Sequence, residues 1–112
     1  MSGAGNGPDY HLLLEAGEIA VAASALRLLI SDEAHEPLIR GLAREVLDHL
    51  EAAPDERGRL TLALTPEQMK ITHSATRLLL NDLQRGQDEE RQTLHAILEK
   101  LPDEHVMRAI QL

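Results

Sequence analysis

Leucines alternate with other residues at two places, 50 positions apart. Leu60, Leu62 and Leu64 alternate with Thr61 and Ala63; Tyr10, Leu12 and Leu14 alternate with His11 and Leu13. Period-two patterning marks a strand with one buried face. A helix signal follows each stretch. Thr65-Pro66-Glu67-Gln68 supplies an N-cap hydroxyl, a proline at the first helical position and a Gln three residues past the cap. Glu15-Ala16-Gly17-Glu18 is a weaker form of the same signal.

The 3.6-residue periodicity then predicts four helices. The first spans residues 16–31, with Ile19, Ala22, Leu26 and Leu29 on one stripe and Val21, Ala25 and Leu28 on another. The second follows Pro37 and runs to Ala52, its inner face carrying Leu38, Leu42, Val46, Leu47 and Leu50. The third spans residues 66–85 and ends at Gly86, burying Met69, Ile71, Thr72, Ala75, Thr76, Leu78 and Leu79. The fourth begins after a cap-like Asp88, runs to Leu101, and buries Leu94, Ile97, Leu98 and Leu101. The tail from His105 fits a short helix through Val106, Met107 and Ile110. Alternation of Val106, Arg108, Ile110 and Leu112 also allows a strand.

The two patterns are versions of one text. Between residues 12 and 32, eight positions (Leu12, Leu14, Ser24, Ala25, Arg27, Leu28, Leu29 and Asp32) are identical to those 50 residues later. Chance in a chain this rich in Leu and Ala would give about two, and a fixed-period self-match sets the architecture. The expected fold is therefore mainly α (α+β): a duplicated strand–helix–helix unit forming a four-helix bundle. A short two-stranded antiparallel ribbon and pseudo-twofold symmetry complete it. Residues 1–9, rich in Gly and Pro, read as a disordered leader. Residues 10–112 read as one domain of two repeats, about 10–56 and 60–104, with a C-terminal tail.

Composition narrows the functional classes. Tyr10 is the one aromatic residue, so the core is aliphatic and favours helices. A formal net charge of −8 repels phosphate backbones, and a lone aromatic offers no stacking platform, so no nucleic-acid partner is expected. No apolar run reaches the roughly 18 residues of a membrane span, and no basic-then-apolar start suggests export, so no membrane partner is expected. The chain contains no cysteine. A cytoplasmic setting fits these features, and they exclude disulfide and thiolate chemistry.

Motifs for catalysis are lacking. Asp32-Glu33-Ala34-His35 spells a helicase box but has no phosphate-binding loop to serve. Six histidines invite a metal reading, yet Glu45/His49 and His95/Glu99 are i,i+4 pairs rather than a zinc pattern. His73 reads as a boundary histidine, and Asp88, Glu89 and Glu90 as helix-start carboxylates. No serine sits in a strained Gly-x-Ser-x-Gly turn. No catalytic residue, metal or cofactor is expected, and no enzyme activity.

One polar stripe recurs in both copies: Ser24, Arg27 and Ser31 against Ser74, Arg77 and Asn81. Ser24, Arg27, Ser74 and Arg77 are the candidate binding residues, because two guanidinium forks across a pseudo-symmetric groove could clamp an anion or a partner's carboxylates. Two functions follow as expectations. The first is a small interaction or regulatory module whose partner is another protein or itself, as a homodimer. The second is a binding protein for a small anionic ligand at an Arg27/Arg77 groove.

Overall fold

The structure, a computed structural model, describes residues 10–32 and 34–110. The expected leader lies outside the described residues, as do Glu33 and the last two residues of the tail. The chain runs β1 (Tyr10–Leu14), α1 (Ala16–Ser31), α2 (Pro37–Leu50), β2 (Leu60–Leu64), α3 (Pro66–Asp82), α4 (Asp88–Lys100) and α5 (Glu104–Ala109). It is mainly helical, with one two-stranded antiparallel sheet.

The alternating leucines form the ribbon as their pattern requires. Tyr10 pairs with Leu64, Leu12 with Leu62 and Leu14 with Leu60. Leu12, Leu14, Leu60, Leu62 and Leu64 are buried beneath it, while His11, Leu13 and Thr61 face outward and exposed. A two-stranded ribbon is marginal alone, so helices must cover its inner face. Each leucine sealed there contributes roughly 1.5–3 kcal/mol relative to exposure.

Both major helices start from capping boxes. The Thr65 N–H donates to Gln68 Oε1 (3.0 Å) and the Gln68 N–H to Thr65 Oγ1 (3.2 Å). In α1 the Glu15 N–H donates to Glu18 Oε1 at 2.8 Å. Gln68 and Glu18 are themselves buried, so each needs a second partner from another helix. The Gln68 side-chain amide donates to Glu45 Oε1 at 3.1 Å, and Lys100 pairs with Glu18.

Helix α1 packs against α2, α3 and α4, and α3 also packs against α2 and α4. The core runs through Ala22, Ala25, Leu26 and Leu29 of α1 and Met69, Ile71 and Ala75 of α3. Thr72 and Thr76 are buried in it, their hydroxyls donating back to the Gln68 and Thr72 carbonyls at 2.8 and 2.7 Å. That back-bonding lets threonine occupy a helix core with no unsatisfied donor.

Several details depart from the sequence expectation. Leu38, expected on the inner face of the second helix, is 63% exposed. The buried stripe of α2 runs instead through Ile39, Ala43, Val46 and Leu50, with Ile39 partly covered. In the first turn it is Ile39 that packs against the core, and Leu38, about 100° round the helix, faces away. Helix α2 ends at Leu50 rather than Ala52.

The third helix stops at Asp82, not Arg85, because half-buried Leu83 turns to extended backbone (φ −67°, ψ 141°). Asn81 and Asp82 are weak helix formers that make the exit inexpensive. Gly86 (φ +91°) serves the turn before α4 instead of capping α3. Asp88 is the first residue of α4 rather than its cap; Gln87 holds the cap position, and its Oε1 accepts the Gln84 N–H at 2.6 Å. The tail forms the helix α5, capped by Asp103, whose Oδ1 accepts the Val106 N–H at 3.0 Å.

Candidate functional site

Both polar stripes are exposed, yet their surroundings differ. After α4 the chain passes through Leu101-Pro102-Asp103 and lays α5 near α3. After α2 the similar Pro54-Asp55-Glu56 leads into a turn and β2. Helix α5 is six residues long, too short to hold its shape unaided, so it depends on its contacts. Met107 is buried in the core cluster, the Lys70 ammonium donates to the Ile110 carbonyl (2.6 Å), and Arg77 pairs with Glu104 (2.9 Å).

Between α3 and α5 lies a cleft of two adjoining hollows. The inner one, about 200 Å³, is lined by Lys70, His73, Ser74, Glu104, Met107 and Arg108. The outer one, about 420 Å³, shares His73, Ser74 and Glu104, and adds Arg77, Asn81 and His35 over an apolar floor of Leu29 and Leu78. Two guanidinium groups meet one carboxylate here, and the Lys70 ammonium lines the inner hollow beside them. Glu104 is held by Arg77 on one side and by Arg108 (3.5 Å) on the other. Asp32 lies beside His35 at the rim, 3.5 Å from its Nε2.

His73 is half-buried at the junction of the two hollows. Burial holds its imidazole below the ordinary value of 6.5; the Arg77 charge pushes the same way, and Glu104 opposes both. Near neutral pH it is therefore an uncharged donor and acceptor. Because the unfolded chain binds the proton more readily, His73 lowers stability as pH falls from 6.5 through its folded pKa. In an NMR titration its pKa is expected below 6.5, and Glu104→Gln is expected to lower it further. A value at or above 6.5 would contradict this reading.

The sequence candidates separate in space. Ser74 and Arg77 line the cleft, whereas Ser24 and Arg27 line neither hollow. Arg27 is exposed on α1 and makes no ion pair among the described residues. The structure thus places Arg77 at the outer hollow, which shares His73, Ser74 and Glu104 with the inner hollow of Lys70 and Arg108, and leaves Arg27 outside both. Lys70, Glu104, Met107 and Arg108 were not legible as site residues in the sequence. A comparison at the 50-residue spacing does mark the place: Ala20 and Ala23 align with Lys70 and His73.

Among the described residues, no group of three or more His, Asp and Glu could hold a metal ion. No helix there is long and apolar enough to cross a membrane. No protein family, curated protein or solved structure matches the chain.

Proposed function

We propose that the protein binds a small anionic ligand in the cleft between α3 and α5. One observation carries this reading: a chain of net charge −8 sets Lys70, Arg77 and Arg108 along two adjoining hollows whose one lining carboxylate is Glu104. Guanidinium forks suit carboxylate or phosphate oxygens, and Ser74 and neutral His73 can supply further hydrogen bonds. The reading is of a binding role rather than a catalytic one, with nucleic acid disfavoured by charge. The absence of cysteine suits work in the reducing cytoplasm.

Titrating isotope-labelled protein with inorganic phosphate and with succinate tests the site. Amide shifts should concentrate at Lys70, His73, Ser74, Arg77 and Arg108. A charge-assisted hydrogen bond is worth about 1.5–3 kcal/mol, so Arg77→Ala should weaken binding about tenfold or more. Arg27→Ala should leave binding unchanged, and Glu104→Gln should tighten it by removing the internal competitor. Equal responses from Arg27→Ala and Arg77→Ala would discard the cleft as the site.

The duplication expected from the sequence remains part of this proposal: a four-helix bundle, α1 to α4, with pseudo-twofold symmetry. Three features support it. The identities recur at 50 residues, and Leu12 faces Leu62 at the centre of the ribbon. The packing partners also exchange in pairs, α2 with α3 and β2 matching α4 with α1 and β1. Experimental coordinates in which Leu12–Asp32 and Leu62–Asp82 took different shapes would end it.

A second reading, a self-associating interaction module, is favoured by the exposed edges of the ribbon and by exposed Leu13 and Leu38.

A further inference from the structure

The two edges of the ribbon are not alike. On β1, the Lys100 ammonium donates to the Leu13 carbonyl at 3.0 Å while also pairing with Glu18. A lysine placed on an edge in this way discourages another strand from adding there. It also sets the polarity of the ladder. If the Leu13 carbonyl points away from β2, then Leu13 and His11 both direct their backbone groups outward, because these groups alternate along a strand. Their opposite residues, Thr61 and Ala63, then direct theirs outward from β2. Among the described residues, no group outside the ladder bonds the Thr61 or Ala63 backbone. In α2, Val46-Leu47-Asp48-His49-Leu50 matches Ile97-Leu98-Glu99-Lys100-Leu101 of α4 at a spacing of 51, so His49 stands where Lys100 does, and among the described residues it makes no such bond.

We propose that β2 pairs antiparallel with β2 of a second copy about a twofold axis at Leu62. This names a surface for the self-association reading and is independent of the anion site. The strand is suited to its own copy. In this register Thr61 lies opposite the partner's Ala63, and Ala63 opposite the partner's Thr61. Each pair exchanges two hydrogen bonds, so every outward N–H and C=O of the two residues is satisfied. Leu62 meets the partner's Leu62 and Leu60 meets the partner's Leu64 on the inner face.

Charge points to the same contact. Two chains of −8 repel, so they must meet where charge is absent, and Leu60-Thr61-Leu62-Ala63-Leu64 carries none. Just before the strand, Asp55 is already engaged by Arg59 at 3.4 Å. The product is a four-stranded sheet, past the three-strand threshold below which a ribbon is marginal.

The test is sedimentation of the full chain over a wide concentration range, with amide hydrogen exchange at both ends of it. A dimer in which the Thr61 and Ala63 amides become protected as concentration rises supports the proposal. A dimer that leaves these two amides unprotected overturns the β2 contact while sparing self-association. A monomer at every concentration overturns both. Thr61→Pro removes one donor per copy without touching the internal ladder and should weaken the dimer about tenfold. Thr61→Pro that stays folded and dimerises as tightly as the parent overturns the register. If it does not fold, the exchange measurement on the unmodified chain decides.

Discussion

Leu64→Ala is expected to destabilise the protein by about 2–5 kcal/mol, while the same substitution at Leu38 should change stability by less than about 0.5 kcal/mol. Leu64 has no exposed surface and lies where β2 meets the helices; Leu38 is 63% exposed. The cost at Leu64 combines lost burial with the cavity left behind. Domains of this size have about 5–15 kcal/mol of total stability, so the loss is a large share. Urea unfolding of both variants measures it. Equal costs at the two leucines would refute the α2 orientation described here. The comparison holds chemistry constant and varies only burial, which makes it a direct test of the tertiary placement.

The second large effect is expected at Lys100. Among the described residues its ammonium is the sole side-chain partner of Glu18, whose side chain is 11% exposed, and it also holds the Leu13 carbonyl. Lys100→Met would leave the carboxylate with the Glu15 N–H alone. A buried group stripped of a charged partner costs about 1–3 kcal/mol or more. Adding Glu18→Gln should recover most of that loss. Gln68 shows that a neutral amide can serve the same capping box at the matching position of α3. A double-mutant cycle in urea reads the coupling. Additive losses would mean that the pair contributes little beyond the packing of the lysine stem.

The elements read from the sequence were those governed by local rules. Period-two leucines located both strands, and the Thr65-Pro66 start located α3, because caps and alternation act within a few residues. The misplacements fell where the same local signal served two outcomes. Leu38 fits a helix stripe by spacing, but α2 turns Ile39 and not Leu38 toward the core. Gly86 looks like a helix terminator, but half-buried Leu83 ends the helix earlier. The site was half legible for a similar reason. Ser74 and Arg77 were visible as a repeated stripe, and duplication implied equal roles for Ser24 and Arg27. Their environments differ because the chain after α2 continues into a strand and the chain after α4 into α5.

Alternation and capping, properties of neighbouring residues, together with the 50-residue echo, determined that this chain forms two strands and a set of amphipathic helices. Which face each helix buries was decided by packing among α1 to α4, and which arginine acquires Glu104 as a partner was decided by α5 settling near α3. A six-residue helix has no stability of its own, so its position follows from Met107 finding a buried seat and not from any pattern within the tail.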